Sequence, residues 1–312
     1  MITYSPSDVR YAITKETEAG VTPANPVWLR YDHIPGTSVN LTSDFVEASV
    51  VTAGRASGGS SKTNFRVEGG LKSNLNAGEA FDLLLQSSFA GEWVEAGEAG
   101  EGDDVLKASD KDTSISVRKT LGGATPLTVR NVGLQVSKFT LSCEASGMAE
   151  AQFDFMGMGR VPAAQAVMAG ETFTDASDKV FLSGKQVSVT IGGLTGVQYR
   201  SFELSVEQTK EAFDTFGTDS AAGIGTSGNR KTNLNITFYR KDLNPETLFG
   251  ADGTVPVTIT VGVPGNGYSF TIPAATSSVP TDEEDGAKML VSLEMTAKRD
   301  NAAGTDIFAT RL

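Results

Sequence analysis

Two stretches of this chain begin alike and proceed alike. Lys62-Thr63-Asn64-Phe65 opens a strand-like run that leads, 14 residues on from Lys62, to Asn76 and then to a short helical stretch, Glu79 to Leu85. Lys231-Thr232-Asn233-Leu234 opens a second run, and 13 residues on from Lys231 it reaches Asn244-Pro245 and a second helical stretch ending at Phe249. In each half a strand and a long Gly/Ser/Thr-rich loop come first, and three further strands follow. An internal repeat limits the architectures open to a chain more sharply than composition does. Here it predicts two β-rich domains of one type: residues 1–160 with an extended amino-terminal arm, a linker over 161–178, and residues 179–312.

Local patterns fill in that frame. Period-2 alternation predicts strands at Val39–Thr42, Asn64–Leu75, Thr113–Lys119, Gln135–Glu144 and Ala149–Phe155 in the first half. The second half offers Gln186–Ile191, Phe202–Val206, Leu234–Tyr239, Val255–Val263, Tyr268–Ile272 and Met289–Ala297. Asn76 with Glu79 has the form of a capping box ahead of an apolar stripe, Phe81, Leu84 and Leu85. Asn244 with Pro245 is a cap followed by proline at the first helical position. Flexible loops are expected at 53–61 and 217–229, and a solvated acidic insert, with six carboxylates and no basic residue, at 92–104. The prolines Pro23 and Pro26 after Gly20 make the amino-terminal stretch an extended arm.

Chemistry-bearing motifs are sparse. The single cysteine, Cys143, lies in an alternating strand as a small buried hydrophobe, and the single histidine, His33, stands before the turn Ile34-Pro35-Gly36. One histidine leaves no pair for zinc and little room for a Ser/His/Asp triad. Gly223-Ile224-Gly225-Thr226-Ser227-Gly228 fits a dinucleotide fingerprint by letters only, because Asp219-Ser220-Ala221-Ala222 precedes it and a strand follows it. Asp110-Lys111-Asp112 begins like a calcium loop, but Ile115 and Leu121 occupy the Gly and Glu positions. Asp282-Glu283-Glu284-Asp285 reads as a solvated acidic turn rather than a cation site. No catalytic, cofactor-binding or metal-binding residue is predicted, and an enzyme is not expected.

The net charge of −12 argues against a conventional nucleic-acid binder, which needs clustered Lys and Arg, but suits a surface that nucleic acid must pass without sticking. No run of 18 apolar residues is present for a membrane anchor, and Met1 to Pro6 lacks a secretion signal, so folding in a cytoplasm is expected.

The amino-terminal half resembles the tail tube (major tail) protein of long, non-contractile-tailed bacteriophages. The residues that carry this are Val9 to Glu16 with Gly20 to Ala24, Val46-Glu47 with Arg55, Gly69-Gly70-Leu71, and Phe81 to Leu85 with Gly91-Glu92-Trp93. The second half matches by layout. The resemblance implies a mainly β protein: two tail-tube-type β-sandwich domains, each with one short flanking helix, contributing strands to an oligomeric β-barrel ring. It implies six domains per ring, hence a homotrimer with pseudo-sixfold symmetry, or a homohexamer if the second half is decoration. It further implies rings stacked into a tube that conducts DNA without binding it specifically, with a tape-measure protein and tail tip and terminator proteins as partners. The product would be a virion component assembled in the host cytoplasm. Two rivals stay open: another phage ring, baseplate or terminator protein, and a β-sandwich binding module, for which Trp28 and Trp93 offer few aromatic platforms.

Overall fold

A computed structural model describes residues 4–50, 58–98, 103–123, 125–250 and 253–312, and gives the side chains of all of these except 249 and 250. The protein is mainly β, with two α-helices among the described residues. The first half contributes β1 (Val9–Lys15), β2 (Val27–Tyr31), β3 (Val39–Glu47), β4 (Ser60–Asn74), α1 (Glu79–Phe89), β5 (Trp93–Val94), β6 (Val105–Lys107), β7 (Ile115–Leu121), β8 (Leu127–Glu144), β9 (Glu150–Gly157) and β10 (Gly159–Arg160). After β11 (Thr172–Thr174) come β12 (Val187–Ile191), β13 (Tyr199–Phe213), β14 (Gly223–Tyr239), α2 (Asn244–Gly250), β15 (Val255–Val263), β16 (Asn266–Ser277), β17 (Thr281–Asp285), β18 (Lys288–Ala297) and β19 (Phe308–Arg311).

One antiparallel wall runs through both halves in the order β3-β4-β9-β8-β13-β14-β18-β17. Its central joint is β8 against β13, with Leu141 opposite Leu204 and Lys138 opposite Glu207. A second layer runs β12-β15-β16-β19-β6-β5, and a third β11-β2-β1-β7-β8. The 18-residue β8 serves two sheets, pairing with β7 through its first part and with β9 and β13 through its second.

The pairing pattern of the first half recurs in the second. β1 lies on β7 with Ile13 opposite Val117, and β12 lies on β15 with Ile191 opposite Val257. The ladder between β7 and β8 slips between Ile115 and Val117, and that between β15 and β16 slips between Val255 and Val257. The long hairpin β3–β4 slips between Thr42 and Asp44, and β13–β14 between Glu207 and Thr209. Bulges fix register, so shared bulges identify equivalent residues. Thr42 opposite Arg66 answers Glu207 opposite Lys231. The sequence repeat aligned Lys62 with Lys231; the structure moves the match four residues along, to Arg66. Beyond the hairpins, Leu75 N–H donates to Ala149 O, and Arg240 N–H donates to Met289 O in the same place. β16 and β17 together answer β8, joined through Ser278, whose N–H bonds Glu294 O.

The core is one cluster drawing on both halves. Phe81 stacks on Tyr268 with ring centroids 5.2 Å apart, and Phe139 meets Phe153 at 5.1 Å and Phe270 at 5.9 Å. Such pairs add about 0.5–1.5 kcal/mol each beyond the area they bury. α1 buries Phe81, Leu84, Leu85 and Phe89 and ends at Ala90, which takes a left-handed conformation (φ 47°) and returns its N–H to Gln86 O.

Both helix starts depart from expectation. The residue before α1 is Gly78, and no side chain caps it. Asn76 instead donates its amide to Ser177 O and Lys179 O, holding down the segment between the halves. Asn244 is already helical, and Asp242 accepts from both its N–H and its side-chain amide.

Candidate functional site

The motifs singled out in the sequence resolve into structural duties. Cys143 is buried, and burial with Glu144 nearby pushes its thiol up to about 11, which leaves it inert at neutral pH. His33 packs edge-on against Tyr11 at 4.8 Å, and partial burial lowers its pKa. The G-x-G-x-x-G run is not a loop: Gly223 to Asn229 are the first residues of β14. A Cβ on Gly225 would lie 2.5 Å from the Phe213 ring, so this glycine makes room for an aromatic rather than a phosphate. Asp112 accepts from Lys210 Nζ at 2.6 Å, and Lys210 is fully buried; Lys111 pairs with Glu92. Of the expected loop at 53–61, residues 53–57 lie outside the described residues, and Ser60-Ser61 already belong to β4.

The acidic insert 92–104 is partly structured rather than simply solvated. Arg311 stacks over the Trp93 ring at 4.1 Å and pairs with Glu95, Asp104 and Asp82, while Tyr268 Oη donates to Asp82 Oδ1 at 2.7 Å. Burial raises the Asp82 pKa against the pull of Tyr268 and Arg311. Residues 99–102 of the insert lie outside the described residues. The segment 161–178 is strapped to the first half: β11 pairs with β2, and Glu171 meets Arg118 and Trp28 Nε1. Residues 9–15 and 27–31 of the expected arm are likewise strands in the third sheet.

Glu16 lies in the stretch that carries the family resemblance, but no sequence signal gave it a bonding role. Its buried carboxylate accepts from Ser114 Oγ (2.6 Å), Ser116 Oγ (2.6 Å), Gly133 N–H (2.8 Å) and Gly20 N–H (2.8 Å), pinning the β1–β2 turn to β7 and β8. In a groove lined by Ala90, Ser109, Gln208 and Asp306, Arg230 is forked onto Asp306 and donates to Ser109 O.

What remains open is backbone. Among the described residues β3 pairs only with β4, and β17 only with β18, so the eight-stranded wall has a free rim at each end. Its two faces differ. Across one face run Lys72, Gln152, Thr140, Ser205, Asn233 and Thr296 in register, and beside them Asn74, Glu150, Ser142, Glu203, Asn235 and Glu294. Across the other run Ala151, Leu141, Leu204, Leu234 and Met295, all buried. The two long hairpins project exposed aromatics, Phe45 on the first and Phe213 and Phe216 on the second. Among the described residues no helix is long and apolar enough to cross a membrane.

Free strand rims, a polar sheet face and projecting hairpins characterise a protein of the mainly β class. The chain belongs to the phage tail tube protein family, whose model matches residues 6–297. It is therefore a structural component of the bacteriophage virion tail. No curated protein matches it.

Proposed function

We propose that three copies of this chain close into a pseudo-sixfold ring, and that rings stack into the tube through which the phage genome is delivered. The two halves, 1–160 and 179–312, act as two tail-tube domains joined by 161–178. The observation that carries this reading is the recurrence of one four-strand unit, β3-β4-β9-β8 and then β13-β14-β18-β17, joined side by side with a free rim at each end. A sheet with exposed edges aggregates unless its edges are covered, and closure into a barrel removes them. Head-to-tail contacts give closed rings when the rotation is right, and a chain with two units halves the number of contacts that must form between chains. A homohexamer would need one half to stay out of the wall, whereas both contribute four strands to it.

The polar face of the wall would line the channel. It carries Ser, Thr, Asn and Gln with an excess of carboxylates, and each chain brings −12 overall. DNA meeting such a surface finds no array of cations to release its counterions against, so it slides. The exposed hairpin tips would engage the next ring, and tape-measure, tip and terminator proteins would meet the tube along its bore and at its ends, with assembly in the host cytoplasm.

Electron microscopy of the purified chain tests the reading. Long uniform tubes with three chains per ring are expected. Discrete single rings would favour a terminator or baseplate role, and a persistent monomer under all conditions would overturn assembly.

A further inference from the structure

The internal joint between β8 and β13 is a template for a joint that the single chain leaves open. The shared bulges give residue equivalences across the two halves: β8 residues 138–144 correspond to 279–285, and β13 residues 201–207 to 36–42. The first member of each pair is bonded inside the chain; the second members, β17 and the start of β3, are the two free rims. We infer that β3 of a neighbouring copy docks antiparallel on β17 in the register of the internal joint, with Thr281 opposite Asn40 as Thr140 lies opposite Ser205, and Asp282 opposite Val39 as Leu141 lies opposite Leu204. This rests on the proposed ring and names its seam.

Charge agrees with that register. β17 is acidic from Asp282 to Asp285, and a second acidic strand beside it would be repelled. The matching segment, Gly36 to Thr42, has no charged residue and offers the Ser38 hydroxyl and the Asn40 amide as donors. Arg240 already neutralises Asp282 through Nε at 2.9 Å, so covering β17 leaves that carboxylate paired.

Disulfide trapping tests the seam, and the chain suits it because its one native cysteine is buried. Asn40 and Thr281 are both exposed in the single chain. Asn40→Cys and Thr281→Cys, made in separate chains, mixed and assembled before mild oxidation, should give a covalent dimer. An Asn40→Cys with Glu283→Cys mixture, displaced by two residues, should react at least about tenfold more slowly, since diagonal neighbours lie ~7–8 Å apart and a disulfide needs Cβ atoms ~3.5–4.5 Å apart. Thr140→Cys/Ser205→Cys in one chain is the benchmark and should close within the monomer. Rings or tubes that form without preferential 40–281 trapping overturn the register and leave the ring reading standing. If wild-type chains make no ring or tube and the mixture gives no dimer, both fall. Each single-cysteine chain should show the native circular dichroism of the parent, so a lost fold is recognised and the trap is then moved to the next pair outward, Val279→Cys with Thr42→Cys.

Discussion

The same corner of the sandwich is built from hydrocarbon in the first half and from ions in the second. Leu75, Phe81 and Leu141 occupy it in the first, all nearly fully buried. Their counterparts are Arg240, Glu246 and Asp282, where the guanidinium reaches Glu246 at 2.6 Å and also holds Asp282. The equivalences follow from the matching hydrogen bonds at Leu75 and Arg240, the third positions of the two helices, and the register of β8 and β17. The helices differ in step, α1 with 11 residues and five large buried side chains, α2 with 7. The difference lies in what stands outside. β13 covers the first corner, and among the described residues no strand pairs with β17 on its far side to cover the second. A position facing water on one side keeps charged residues that a dry one cannot tolerate.

Exchanging residues across this pair of corners gives the largest effect. Leu141→Asp should place an unpaired carboxylate in the dry corner and cost roughly 3–5 kcal/mol, whereas Asp282→Leu should change the stability of the free chain by less than about 1 kcal/mol. Urea denaturation measures both, and a tolerated Leu141→Asp would erase the distinction. Truncation sharpens it further. Leu75→Ala should cost about 2–5 kcal/mol through a cavity, and Arg240→Ala about 1 kcal/mol, since it breaks two ion pairs whose carboxylates are about half-exposed. Equal losses at the two positions would mean that the second corner is as closed as the first.

A third test concerns a network of the first half. Glu16→Gln keeps the shape but gives up charge-assisted bonds to two hydroxyls and two N–H groups, and a loss of about 1.5–3 kcal/mol is expected in thermal or urea unfolding. No loss would show the carboxylate to be a bystander. The smallest effect is a pH dependence. Burial lowers the His33 pKa below its usual 6.5, so the unfolded chain binds the proton more readily than the folded one. Its contribution is therefore complete above pH 6.5 and declines as the pH falls through that value toward the folded pKa. The unfolding midpoint of the wild type, relative to His33→Phe, should drop between pH 7.5 and 5.5, and the lone imidazole resonance should titrate below its ordinary value. A relative rise on acidification would contradict this.

The longer alternating strands and both helices were legible because alternation and apolar spacing are local, whereas β1 and β2 read as an arm and β17 as an acidic turn. Phe139, Leu141 and Cys143 announce the buried side of β8, as Leu234, Ile236 and Phe238 do for β14. The repeat was visible, but its alignment was four residues out, since Lys62-Thr63-Asn64 imitates Lys231-Thr232-Asn233 in letters while the bulge at Thr42 and Asp44 sets the true match. Asn76 misled for a related reason. Its amide had a choice between a helix start and the carbonyls of Ser177 and Lys179, about a hundred residues away, and no local pattern reports distant carbonyls. The bonding role of Glu16 was silent because its partners are scattered over three segments, at Gly20, Ser114 to Ser116 and Gly133. The glycines at 223–228 looked like a loop because the Phe213 ring that Gly223 and Gly225 accommodate lies across a hairpin.

One strand bears a mechanical consequence. β8 turns a corner between two sheets, with Gly133 at φ 68° and a bulge between Val136 and Lys138 marking the bend. Prying the two layers apart would have to shear both ladders of that strand together, as its backbone is the hinge pin they share. In the proposed ring, load applied to such a wall would reach the seams between chains before it opened this bend.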